Sequence, residues 1–128
     1  MLLTSIHREG MALMLLEEEL LAIEKNFWTG GPEVYRHHVD KKCLIAFIKM
    51  AGVMSYGDTE KSAEKGRWRD VCLKAQGLLN LSDTATLITY ECSAMRKDGT
   101  PHHALASSGY VKRSDSWKLA FHQQTPLQ

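Results

Sequence analysis

His122, Gln123 and Gln124 interrupt an otherwise apolar closing segment, Trp117-Lys-Leu-Ala-Phe-His-Gln-Gln-Thr-Pro126. An imidazole inside a cavity exchanges a proton near neutral pH, or orients a ligand through its ring nitrogens. Regular strand alternation puts Trp117, Leu119, Phe121 and Gln123 on one face and Lys118, Ala120, His122 and Gln124 on the other. In a regular strand His122 therefore lies beside a lysine, exposed or at a contact between copies. A bulge would re-aim it into a cavity, and both placements stay open. Tyr90 is the hydroxyl to pair with His122 if acid–base chemistry occurs.

The aromatic residues Trp28, Tyr35, Phe47, Trp68, Tyr90 and Tyr110 are scattered through the segments that would surround a cup. Together they make either an apolar pocket with a few hydroxyl handles or ordinary core packing. Tyr90 and Trp68 are the preferred pocket members, because each sits on a strand expected to face the helices. The expected ligand-binding set is these six aromatics with His122 and Gln124.

Other polar groupings offer less. His37-His38 and His102-His103 are adjacent pairs, which diverge on a helix and face opposite sides on a strand. Neither pair chelates one metal well, and both read as surface histidines. Glu91 follows Tyr90, so a cavity-facing Tyr90 leaves Glu91 in solvent. A buried Glu91 would be the better base. Ser107 and Ser108 lack a nucleophile-elbow glycine pattern, and Gly30-Gly31-Pro32 is a helix stop with no phosphate-cradling spacing. No cofactor is expected.

Sixteen Lys plus Arg against fifteen Asp plus Glu leave a net charge of +1 on 128 residues, with no concentrated basic field of the kind a phosphate backbone requires. Nucleic-acid binding is not expected. The apolar stretch from Met11 to Leu16 runs into Glu17-Glu18-Glu19, which a membrane span or signal peptide would not tolerate. A cytoplasmic location is the default. Cys43, Cys72 and Cys92 are widely spaced in apolar runs, which suits buried reduced thiols.

The elements that must position these groups follow from periodicity. Leu13, Leu16, Leu20, Ile23 and Phe27 form the buried stripe of an amphipathic helix over Met11–Trp28, with Glu17, Glu18, Glu24 and Lys25 on the remaining arc. Residues 1–12 are expected to be a flexible N-terminus. Thr29-Gly30-Gly31 stops the helix because glycines favour non-helical backbone, and Pro32 starts a short second helix to about Val39. Cys43–Ile48 reads as a buried strand, Ala51–Ser55 as a loop and Asp58–Lys65 as a brief polar helix. The remainder is β: Trp68–Leu81 as one long strand or two with a break near Gly77, then Thr84–Met95, His103–Lys112 and Trp117–Thr125. Turns at Ser82-Asp83, Lys97-Asp98-Gly99 and Ser114-Asp115-Ser116 join them. The class is α+β, a single domain with a curved, mostly antiparallel sheet of four to six strands and its helices on one face.

This order resembles the nuclear transport factor 2-like superfamily, specifically its SnoaL-like, ketosteroid-isomerase-like bacterial branch. The resemblance is carried by Leu20-Leu-Ala-Ile-Glu-Lys-Asn-Phe-Trp28, Ala51-Gly-Val-Met-Ser55, Gly66-Arg-Trp68 and Leu87-Ile-Thr-Tyr90. It rests above all on Ser107-Ser-Gly-Tyr-Val-Lys-Arg113 leading into Trp117–Pro126. It implies a cystatin-like cone wrapped around an N-terminal helix, and homodimers with a pocket between the concave sheet and the helices. Steroid isomerases of that branch carry a base aspartate on the strand after the second helix. Cys43–Ile48 holds no carboxylate, so that proton shuttle is not carried over.

The function expected from the whole is binding of a small apolar organic ligand in a cup. Turnover would be of the acid–base isomerase, dehydratase or cyclase type. The alternative is a non-catalytic dimerisation or accessory module that pairs through the outer face of its sheet.

Overall fold

The structure is a computed structural model that describes residues 2–47, 50–55, 57–58 and 66–127. Helices α1 (Leu2–Thr29) and α2 (Pro32–His38) precede six strands. These are β1 (Val39–Phe47), β2 (Met50–Ser55), β3 (Trp68–Ser82), β4 (Ala85–Arg96), β5 (Pro101–Arg113) and β6 (Ser116–Pro126). They form one sheet in the order β2-β1-β6-β5-β4-β3, and among the described residues only the β1–β6 pair is parallel. The architecture is α+β, a curved open sheet with α1 across one face.

Several boundaries depart from the sequence expectation. Residues 2–12, expected as a flexible N-terminus, continue α1 as helix, and Leu13, expected in the buried stripe, is exposed. The packed face begins at Leu16 and comprises Leu20, Glu24, Phe27 and Trp28. Ala51–Ser55, read as a loop, belongs to β2, which pairs antiparallel with β1. Of the two alternatives for Trp68–Leu81, the single long strand is the one present, and a bulge beside Gly77 absorbs the irregularity as a register shift. Most of the polar helix expected at Asp58–Lys65 lies outside the described residues.

Local chemistry explains the turns. Asp98 accepts from both the amide and the hydroxyl of Thr100, at 2.9 and 2.7 Å, and Gly99 takes φ +89°. Ser114 and Asp115 hold φ +49° and +63° between the paired residues Arg113 and Ser116, the two-residue turn whose twist matches the flanking strands. Gly30 stops α1 for a reason other than backbone freedom. A Cβ there would stand 2.7 Å from the Asn26 carbonyl oxygen and against the Val34 side chain. Gly30→Ala is expected to destabilise the protein by about 1–3 kcal/mol, the usual cost of overpacking. A denaturant midpoint equal to wild type would show that the helix end relaxes freely.

The core fills the space between α1 and the sheet. One cluster gathers Leu20, Phe27, Ile45, Ile88, Trp117 and Leu119 among others, and a second surrounds Trp28 and Tyr90. Cys43 and Cys92 are buried, but Cys72, also expected inside, is exposed. Burial and the carboxylate of Glu24 push the Cys43 thiol up to about 12, and burial beside Cys72 pushes Cys92 up to about 12. Since the thiolate is the nucleophile, iodoacetamide is expected to modify Cys72 alone in the native protein. Mass spectrometry showing a second adduct on the same timescale would refute the burial of these thiols.

The opposite face of the sheet carries a continuous apolar row. Val53 pairs with Leu44, Leu44 with Phe121, Phe121 with Gly109, Gly109 with Leu87 and Leu87 with Leu79, one residue from each strand. Val53, Leu44, Leu87 and Leu79 are 65%, 48%, 40% and 57% exposed. Gly109 leaves room for its neighbours, since a Cβ would meet Leu87 and Phe121 at 3.2 and 3.3 Å.

Candidate functional site

Between α1 and the concave face of the sheet lies a cavity of about 500 Å³. Its floor is built around Glu24, which is 1% exposed although it sits in a helix with an exposed polar arc. Its acidic neighbours Glu17 and Glu18 suggest a place on that arc. Helical spacing instead puts it one turn after Leu20 and one turn before Phe27 and Trp28, in the middle of the buried face.

A buried carboxylate costs several kcal/mol unless polar partners replace its water. Here Tyr110 donates its hydroxyl to Oε2 at 2.9 Å, and Ser108 donates to Oε1. His122 brings Nδ1 within 3.7 Å of the same Oε1 and within 2.7 Å of the Ser108 oxygen. Burial and the nearby Glu24 charge push the hydroxyls of Tyr110 and Tyr90 well above the usual range. Both therefore keep their protons, and Trp28 Nε1 donates to the Tyr90 oxygen at 3.1 Å.

His122 reaches this cluster through a bulge. Gly109 pairs with Phe121 and Tyr110 with Leu119, so Ala120 is left over. The extra residue moves His122 and Gln124 onto the cavity side, together with Leu119. Beyond His122, Gln124 Nε2 stands 3.0 Å from His122 Nε2, and Gln124 Oε1 stands 3.2 Å from His102 Nε2. His102 Nδ1 in turn meets Arg96 Nη2 at 3.2 Å. His102 also lies over Trp68 with ring centroids 4.8 Å apart, and burial lowers its pKa.

Of the residues expected to bind a ligand, Trp28, Tyr35, Phe47, Trp68, His122 and Gln124 line this cavity. Tyr90 and Tyr110 are not in the lining; they stand behind it, wholly buried, and act on it through Trp28 and Glu24. The polar neighbours of His122 in the structure are Ser108, Gln124 and Glu24, while Tyr90, the hydroxyl expected beside it, accepts from Trp28 instead. His102, read as a surface histidine, lines the cavity, as does Arg67, which donates to the Tyr35 hydroxyl at 3.3 Å. Glu91 points away and meets His103 at 2.5 Å on the outer face. Among the described residues no group of three His, Cys, Asp or Glu side chains converges on a point where a metal ion would sit.

β1 does contain a carboxylate, Asp40, because the strand starts earlier than expected. It serves the outside, where Arg113 Nε meets it at 3.3 Å in a separate open cleft with Arg36, Lys41, Lys42 and Lys118. Asp40 is absent from the lining of the cup. Among the described residues no helix is long and apolar enough to cross a membrane.

No protein-family profile matches the chain, and no curated protein matches it in sequence. Solved structures do match in shape. A nuclear transport factor 2-like protein of unknown function from Prochlorococcus sp. NATL2A superposes with TM-score 0.67 at 18% identity, over 87% of this chain and 92% of its own. The association domain of CaMKII from C. elegans gives TM-score 0.67 at 10% identity, over 92% and 98%. A candidate ketosteroid isomerase from Parabacteroides distasonis gives 0.64 at 9% identity, over 85% and 86%.

Proposed function

The chain has the nuclear transport factor 2-like fold, and from that premise we propose that it is a binding cup for a small, largely apolar organic molecule. We propose acid–base turnover in that cup, with His122 moving the proton. The observation that carries this reading is a buried Glu24 carboxylate tied to His122 and Ser108 at the floor of an aromatic-lined cavity. A filled core does not require such a group, since well-packed apolar residues in place of a whole buried polar network would serve as well. Trp28, Phe27 and Trp68 supply apolar walls, and Arg67 supplies a donor for a ligand oxygen. The cavity volume falls within the range of small-molecule sites, about 300–1,000 Å³.

Native mass spectrometry of freshly purified protein, before and after denaturation, tests the cup. A small molecule released on unfolding is the expected result and hands over the chemical class to assay. An empty protein that also fails a ligand screen would sink the reading.

The second reading is a non-catalytic assembly module, favoured by the apolar row across the outer sheet. The same row supports homodimerisation in either reading, because a contiguous exposed apolar surface marks an interaction site. A second copy laid face to face would bury Leu44, Phe121 and Leu87 at its centre. Leu44→Glu, with 48% exposure in the isolated chain, is expected to convert the dimer to monomer with no loss of folded content. Light scattering at tens of micromolar decides it, and a wild-type monomer mass would remove the dimer.

A further inference from the structure

The hydrogen bonds around the cup floor run in one direction, and both ends of the run are chemically fixed. Arg96 has only N–H donors, so His102 Nδ1 accepts from it at 3.2 Å. Burial lowers the pKa of His102 against the opposing Gln124 hydrogen bond, with the Arg96 charge adding to burial, and Nδ1 already accepts from Arg96, so the one proton of the neutral ring sits on Nε2. That N–H donates to Gln124 Oε1 at 3.2 Å, which leaves the Gln124 amide nitrogen to donate to His122 Nε2 at 3.0 Å. From the other end, the Glu24 carboxylate only accepts. Ser108 spends its single O–H on Glu24, so toward His122 it offers a lone pair, 2.7 Å from Nδ1.

Two independent deductions therefore meet at one imidazole. From Arg96, His122 Nε2 must be a lone pair; from Glu24, His122 Nδ1 must carry the proton. We propose that Gln124 is a positioning residue that holds His122 as its Nδ1–H tautomer, so that the cup presents a basic Nε2 to a ligand group bearing a proton. Reversing the Gln124 amide would set its N–H₂ against His102 Nε2–H. Moving the His122 proton to Nε2 would set it against the Gln124 amide and leave Ser108 facing a bare Nδ1. The ligand class follows, on the reading that the cup binds a small molecule. A hydroxyl, or a C–H made acidic by an adjacent carbonyl, replaces the Gln124 contact at Nε2. The proton moves from that group to Nε2, and the positive charge formed on the ring lies 3.7 Å from Glu24.

The tautomer is measured without any ligand, by long-range proton–nitrogen correlation on protein labelled with ¹⁵N-histidine, above the imidazole titration range. His122→Asn and His102→Gln assign the two rings among the six histidines. The expected wild-type result is a pyrrole-type Nδ1 and pyridine-type Nε2 for His122, with the reverse for His102. Gln124→Glu, whose carboxylate accepts from both rings, is expected to move the His122 proton onto Nε2. Arg96→Met, on an exposed hairpin end, is expected to release His102 into two exchanging tautomers. A wild-type His122 protonated on Nε2, or a Gln124→Glu protein whose Nε2 stays pyridine-type, overturns the proposal. Either failure leaves ligand release in native mass spectrometry untouched, and an empty cup leaves the tautomer untouched.

Discussion

Glu24→Leu is expected to lower stability by roughly 2–6 kcal/mol, because it strands two buried hydroxyls at about 1–3 kcal/mol each. Leucine has a similar volume, so the loss reports unpaired polar groups more than an empty space. Tyr110 then has no acceptor for its hydroxyl, and Ser108 loses the group that orients it toward His122. Glu24→Gln is expected to cost less, about 1 kcal/mol, since the amide oxygen still accepts from one hydroxyl and the other can rotate to accept from the amide nitrogen. The ordering wild type, Gln, Leu should appear in guanidinium midpoints at constant slope. A Leu variant as stable as wild type would mean that the buried carboxylate is a burden the fold carries without structural return, and would strengthen a purely functional role for it.

His122→Ala should leave the fold in place and remove the proposed turnover. Removing a positioned general acid or base typically costs about 10²–10⁴-fold in rate. His122 is half-buried at the cavity wall, so truncation opens space toward the cup, and Glu24 keeps its donors Tyr110 and Ser108. The measurement is kcat/KM on the molecule released from the native protein, alongside its dissociation constant. Loss confined to kcat assigns the proton transfer to His122, because uniform binding would move KM instead. If affinity and rate both stay at wild-type values, His122 has no part in the site.

The sequence was most legible where local chemistry and global fold agree. Asp98-Gly99 and Ser114-Asp115 announce hairpins that the structure contains, and the meander from Trp68 to Pro126 follows from alternation bounded by turn residues. The site was less legible, for two physical reasons. Residue type outweighed position at Glu24: a carboxylate among Glu17, Glu18 and Lys25 reads as solvated, yet its spacing from Leu20 and Phe27 places it inside. Counting helical position before chemistry would have found it. At Ala120 the reverse holds, because nothing in Ala-Phe-His marks a bulge. The register shift is imposed by the neighbouring strands, so the face of His122 was undetermined until β1 and β5 were both in place. Pairing also explains β2: Ala51-Gly52-Val53 is a weak strand by propensity, and it is recruited by the edge of β1.

The parallel contact between β1 and β6 has a consequence for how the protein is made. β1 has only β2 and β6 as sheet neighbours, so β6 alone joins the N-terminal hairpin to the meander. Residues such as Ile45 and His122, far apart in the chain, must meet before the cup has a wall. A nascent chain lacking β6 therefore holds two unconnected pieces of sheet with bare edges and an unlined Glu24. Such a chain is a natural client for chaperones, and premature termination after β5 should yield insoluble material in place of a weakened but folded protein.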